Sequence, residues 1–245
     1  MRNRFLNIIG ALLWVSLGCN KPSAPDCLQT AGSDGELSAE LAPFHQLEIN
    51  DNIDYVLHID TAWHYKVVGP FNLLSDIVFQ SSSDQLRIKN ENTCNLFRNK
   101  KRRITVHLYA PQFHHIDVFS QGKLTCMDTI KSSVEIFYNN ANCNSTWLIH
   151  NDSCNIEYPK GTGDITVIGQ STWGWIYSNA LGKINGKNWI CQNLSVHHNS
   201  LQNLYAHPVQ YLHAEIHNQG NLYIPFYPIT WDKSETAEGK LIMQP

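Results

Sequence analysis

The sequence predicts an all-β protein, a parallel β-helix-like β-solenoid with coils of about 20 residues. Three observations carry that prediction. First, apolar residues recur at near-constant spacing: Val118, Ile136, Ile156, Ile176, Val196 and Ile216 lie 18, 20, 20, 20 and 20 residues apart. Second, another apolar or small column sits two residues earlier, at Ile116, Val134, Cys154, Gly174, Leu194 and Ala214, and the residues between the columns are mostly polar. That alternation is the period of a strand with one buried face, not of a helix. Third, Ser120, Asn139, Lys160, Asn179, Asn199 and Asn218 open turn-like runs rich in Asn and Gly. Such residues tolerate the positive φ that a tight corner needs, and stacked asparagines can hydrogen-bond along a ladder. A sandwich of short antiparallel strands is the rival, but it has no reason to keep a constant period.

Taken in order, the chain opens on a targeting segment. Arg2 and Arg4 precede an apolar run from Phe5 to Leu17 that is too short to span a bilayer. The run ends Val15-Ser16-Leu17-Gly18-Cys19, which resembles the lipobox of bacterial lipoproteins. That resemblance implies a signal peptide over 1–18, cleavage before Cys19, lipidation of Cys19, and so a membrane partner reached through the lipid anchor. An ordinary cleaved signal peptide is the alternative. Residues 19–43, rich in Ser, Ala, Pro and Gly, are expected to be a flexible tether.

Residues 44–224 are expected to form the solenoid domain. Its first part alternates around Leu47, Ile49, Tyr55, Leu57, Leu86, Ile88, Val106 and Leu108 but repeats poorly, and reads as first coils with longer loops. One loop is cationic at Arg98, Lys100, Lys101, Arg102 and Arg103. It is either a solvated loop or a contact for anionic glycans or lipid headgroups. From Ile116 onward each coil holds two short strands about a corner, the second starting at Leu124, Cys143, Ile165, Ile184, Leu204 and Leu222. A third run falls at Trp147-Leu148-Ile149 and Trp189-Ile190-Cys191. Pro225 and Pro228 interrupt the pattern, and residues 225–245 are expected to cap the open end.

Composition narrows the function classes. A formal charge of −3 with 16% charged residues gives no footprint for nucleic acid. Beyond Cys19 there are Cys27, Cys94, Cys126, Cys143, Cys154 and Cys191, and an exported chain permits disulfides, with the pairing open. Cys126, Cys143 and Cys154 fall in inward columns, where buried thiols fit equally well. The absence of a CxxC pair argues against a zinc or redox site, and no metal or cofactor is expected.

No catalytic constellation stands out. Asp117 and Glu135 read as carboxylates on adjacent strands, with Glu215 further on. Such a pair is a solvated edge far more often than an acid–base dyad. His197 and His217 share a column but lack a third ligand for a metal. The position just past the inward column holds Phe119, Phe137, Glu157, Tyr177, His197 and His217, with Trp175 in the neighbouring column. Strands about 4.8 Å apart would set these rings in a flat strip. Phe119, Phe137, Trp175, Tyr177, His197 and His217 are therefore the candidate ligand-binding residues.

One further pattern is recognisable. Phe44-His45-Gln46-Leu47-Glu48-Ile49, then Leu86-Arg87-Ile88, then Val106-His107-Leu108-Tyr109-Ala110-Pro111 leading to Ile116-Asp117-Val118-Phe119-Ser120-Gln121-Gly122 resembles a family of autotransporter adhesins with a head GIN domain from Bacteroidetes-type bacteria. The resemblance covers roughly residues 40–240, although most corners here carry Asn in place of Ser-Gly runs. It implies a β-solenoid on an exported, often lipid-anchored protein, and brings no catalytic residues. The expected function is a lipoprotein of the bacterial envelope and outer membrane, facing the periplasm or the surface. It would carry a binding module, adhesive towards glycans or towards envelope or host proteins. A purely structural envelope component is the alternative, and a polysaccharide-active β-helix enzyme the less favoured one.

Overall fold

Apolar–polar alternation builds most elements of the computed structural model, which describes residues 32–92 and 102–244. The N-terminal part holds β1 (Asp34–Glu40), β2 (Gln46–Ile49), β3 (Asp54–Ile59), β4 (His64–Pro70), the one-turn helix α1 (Phe71–Leu74), β5 (Ile77–Ser82) and β6 (Gln85–Asn90). Then come β7 (Thr105–Ala110), β8 (His115–Val118), β9 (Lys123–Cys126), β10 (Val134–Ala141), β11 (Asn144–Gly161) and β12 (Ile165–Ser178). The chain ends with β13 (Ile184–His198), β14 (Leu204–Ile216), β15 (Leu222–Ile224), β16 (Thr230–Glu235) and β17 (Leu241–Met243). Cys19, Cys27, Cys94, Arg98, Lys100 and Lys101 lie outside the described residues.

The strands wind into a β-solenoid. One side runs β5, β6, β2, β8, β10, then the second halves of β11 to β14, then β16. The next side runs β1, β4, β7, β3, β9, then the first halves of β11 to β14, then β15 and β17. The long strands bend through a third side, where Ile130 pairs with Ile149 and Ile149 with Gly169. All of this pairing is parallel except at the N-terminal end, where β1, β4 and β5 are antiparallel.

The coils do not stack in chain order. β2 and β3 lie between β6 and β7 on one side and β8 and β9 on the other. The second coil made is thus the outermost of the three. β1, β4, β5 and α1, with Leu73 and Leu74 buried, close that end.

Two segments differ from the sequence reading. Residues 34–40, expected within the tether, form β1 along the edge of β4, with Lys66 paired to Glu36. β1 is exposed along almost its whole length, so its polar composition carries no strand signal. Of the segment 225–245, expected as a cap, residues 225–244 supply a further coil: β16 continues β14, β17 continues β15, and Leu241 enters the core.

The expected columns hold in the middle and slip at both ends. Ile136, Ile156, Ile176 and Val196 are register partners. Val118 pairs with Tyr138 rather than Ile136, and Val196 pairs with Ala214 rather than Ile216. The inner columns are therefore Ile136–Ile156–Ile176–Val196–Ala214 and Tyr138–Tyr158–Ser178–His198–Ile216. Trp147 and Trp189 are the largest fully buried side chains, and the Trp147 indole N–H donates to Tyr138 Oη at 2.7 Å. Cys126, Cys143, Cys154 and Cys191 are buried free thiols. Burial pushes Cys126, Cys143 and Cys191 up to about 12 and raises Cys154 as well, so none is a nucleophile at neutral pH.

The corners are glycine-rich chiefly because coils touch there, not because of handedness. Only Asn140 and Gly161 among these corner residues have left-handed φ. A Cβ on Gly182 would lie 2.0 Å from the Gly163 carbonyl oxygen and 2.6 Å from Tyr158 Oη. That hydroxyl already donates to the Gly163 carbonyl at 2.8 Å. Gly182→Ala should therefore cost about 1–3 kcal/mol by overpacking, read as a lower thermal midpoint. An unchanged midpoint would show that the corner can open. The asparagine ladder is present in part. Asn218 Nδ2 donates to the Asn199 carbonyl, and Asn144, Asp164, Asn203 and Asn221 each accept a backbone N–H from the next coil.

Candidate functional site

The side begun by β5 and β6 carries two outward columns. One reads Gln85, Gln46, His115, Glu135, Asn155, Trp175, Ser195, His213 and Asp232. The other reads Arg87, Glu48, Asp117, Phe137, Glu157, Tyr177, His197, Glu215 and Ser234. Phe137, Tyr177 and His197 share the second column as expected, but Glu157 separates Phe137 from Tyr177. Phe119 and His217 do not belong to it. The Phe119 N–H bonds the Ile49 carbonyl and the His217 N–H bonds the His198 carbonyl, one alternation further along, at the corner. The two-residue slip in the end coils puts Asp117 and Glu215 where rings were expected. It also separates Asp117 from Glu135: His115 stands opposite Glu135, 3.3 Å from its carboxylate and 3.2 Å from that of Asp117.

The rings that do assemble run along one strand rather than along the stack. In β12, Trp173, Trp175 and Tyr177 alternate with the buried Gly174, Ile176 and Ser178. Trp173 is 58% exposed. Trp175 and Tyr177 stack at 6.3 Å with 13° between planes, and His197 lies 6.0 Å from Trp175. Outward residues of one strand recur every ~6.6 Å, so the three rings make a row across the face. Gly174 permits this row. A Cβ there would meet the Cys191 sulfur and the Trp189 ring at 2.7 Å. Trp173 and His213 were missed in the sequence. The signal was the Trp-Gly-Trp-Ile-Tyr alternation within one strand.

Beside the row lies a histidine–carboxylate network. Glu215 contacts His197 at 2.8 Å, His213 at 3.3 Å and His217 at 3.4 Å. His213 also bonds Asp232 at 2.5 Å, and Tyr211 Oη donates to Asp232 at 2.8 Å. The hydrogen bond to Asp232 raises the His213 pKa, while bonds from His217 and His213 hold Glu215 low and bonds from Tyr211 and His213 hold Asp232 low. Glu215, Asp232 and His213 are therefore charged together between the lowered carboxylate values and the raised imidazole value. It is a surface of fixed polar partners, and among the described residues no group of three or more ligands is arranged to hold a metal.

The cationic loop has a structural use at its end. Arg102 bonds the Gly32 carbonyl and Asp34, and Arg103 bonds Asp54 and Asn52. Two of the five residues expected to meet an external anion thus hold internal partners.

This geometry defines a β-solenoid that displays one broad aromatic and polar face around a packed interior. The chain belongs to the family described as "Putative auto-transporter adhesin, head GIN domain", whose model matches residues 43–225. Among solved structures it is similar to a putative adhesin from Bacteroides fragilis, with 11% identity, 86% of this chain and 98% of that one covered, and a TM-score of 0.76. A putative adhesin from Parabacteroides distasonis is 14% identical over 86% and 98% of the chains, with a TM-score of 0.61. A putative lipid binding protein from the same species is 13% identical over the same shares, with a TM-score of 0.58. At these identities the likeness concerns the fold. No curated protein matches the chain in sequence. Membership of an adhesin-type family implies a protein of the cell envelope or surface. Among the described residues no helix is long and apolar enough to cross a membrane.

Proposed function

We propose that this protein is a non-enzymatic binding module of the bacterial envelope, held at the outer membrane by a lipid on Cys19, that takes glycans on the Trp173–Trp175–Tyr177 row. The row carries the reading. Three outward rings on one strand, with Trp173 58% exposed and Trp175 and Tyr177 half-buried, form a stacking platform for the apolar faces of sugar rings. Family membership supports a binding rather than a catalytic role. The carboxylates of the face support it too, since they are engaged by basic side chains: His115 lies against both Asp117 and Glu135, and Arg87 against Glu48.

A glycan and matrix-protein screen with the full-length protein tests this. Replacing Trp175 and Tyr177 by Ala should abolish binding and leave the thermal midpoint nearly unchanged. Binding that survives while the midpoint drops would assign the row to structure, and with it the alternative of a purely structural envelope component. The anchor is tested separately. Cys19→Ala should release the protein from membranes or stall its processing, and an unmodified Cys19 in the mature protein would reject lipidation.

A further inference from the structure

We infer that the groove beside the aromatic row is a second subsite, which takes the uncharged, hydroxyl-rich terminal residue of a glycan lying along β12. This rests on the reading of the row as a glycan platform. The groove offers about 350 Å³ on the third side of the solenoid, across four successive coils. That is the scale of a small-ligand site.

Its floor is fixed. Asn151 is 8% exposed, and its Nδ2 donates to the Ser132 carbonyl at 2.8 Å. Asn151 Oδ1 accepts from Ser171 Oγ at 2.7 Å, and Ser171 Oγ accepts from the buried Trp189 indole at 2.9 Å. These groups are spent on one another and tie the floor to the core.

The walls are not spent. Lys131, Asp152, Thr172 and Gln192 line the same groove, and none of their side chains has a hydrogen-bond or ion-pair partner among the described residues. Lys131 supplies three donors, Asp152 supplies acceptors, and Thr172 and Gln192 supply both. An ammonium and a carboxylate share the groove without pairing, so it offers both kinds of group yet carries no net charge from them. That combination suits vicinal hydroxyls and selects neither an anion nor a cation. His150 and Gln170 complete the rim, with Gln170 Nε2 3.0 Å from His150 Nε2.

Position links the groove to the row. Thr172 lines the groove and the next residue is Trp173, the first ring of the row. A chain of sugars stacked over Trp173, Trp175 and Tyr177 would therefore end beside Thr172.

The test is calorimetric titration of the full-length protein with neutral hexasaccharides of glucose, mannose, xylose and N-acetylglucosamine. A galacturonate hexamer is the acidic comparison. At least one neutral hexamer should bind. Lys131→Ala combined with Asp152→Ala should weaken that binding tenfold or more with an unchanged circular dichroism spectrum, and Gln192→Ala should weaken it less. Wild-type affinity in the groove variants, with binding still lost in the Trp175→Ala, Tyr177→Ala variant, would overturn the subsite and leave the row standing. Preference for the galacturonate hexamer would overturn the uncharged-sugar assignment. No binding to any hexamer would overturn both the subsite and the glycan reading of the row.

Discussion

Replacing Trp147 by alanine should be the most damaging single change in the coil interior, at about 3–5 kcal/mol. The side chain is wholly buried, and its indole N–H donates to Tyr138 Oη at 2.7 Å. Tyr138 is itself inaccessible and is left with Ser145 Oγ as its other partner, at 2.5 Å. A parallel ladder on both sides holds the strand at fixed spacing, so the walls cannot collapse into the cavity, and unrelieved cavities cost most. Trp147→Phe keeps much of the volume and removes the N–H. Since Tyr138 keeps Ser145, that change should cost less, on the order of 1–2 kcal/mol. Urea midpoints for the three proteins check the ranking. An alanine variant within about 1 kcal/mol of wild type would mean that the coil collapses after all.

The second large effect is loss of stability in mild acid, centred on His198. Its side chain is buried at 1% exposure, and neither ring nitrogen has a well-formed hydrogen bond. Burial pushes its pKa from 6.5 down to about 4, partly offset by the backbone of Gln202 and Gly220. Above the ordinary imidazole pKa, the ring is neutral in both folded and unfolded states and contributes no pH dependence. As pH falls from 6.5 towards 4, the unfolded chain takes up the proton and the folded chain refuses it. Stability therefore falls through that window, by about 3 kcal/mol in all, and levels off below it. His213 works in the opposite sense. Its raised pKa adds stability at low pH that is lost as pH rises through the folded value. His198→Leu should therefore flatten or reverse the slope of thermal midpoint against pH between 7 and 4.5, while wild type declines. Parallel slopes for the two proteins would clear His198 of the effect.

The inside and the outside of the solenoid were legible in the sequence because alternation fixes which face of a strand is buried. Register was less legible, because a slip of two residues leaves polarity unchanged. Val118 and Ile116 are both apolar, as are Ala214 and Ile216, so either alignment satisfies the pattern. The cost of that silence fell on the site. Phe119 and His217 were placed two residues out, and His213 was not grouped with Trp175. The repeat points to a ladder of rings down the stack, whereas Trp173, Trp175 and Tyr177 lie along one strand. The antiparallel end was illegible for another reason: β1 is polar and exposed, and it pairs through its backbone alone for most of its length.

The misordered first coils bear on how the chain folds as it is made. The first coil to leave the ribosome, carried by β2 and β3, sits in the middle of three, and both of its edges need strands that come later. β6 and β7 must be synthesised to cover one edge and β8 and β9 to cover the other. Strand-by-strand growth from the N-terminus is therefore closed to this end of the molecule. A nascent chain that stops short of residue 126 exposes unpaired strand edges, a state open to aggregation. The contacts that end this exposure join residues about 70 positions apart, as Ile49 with Val118, and closing such loops before any reward slows folding. From β10 onward each strand instead docks on one already in place. The molecule thus has a slow, all-together beginning and a continuation that zips.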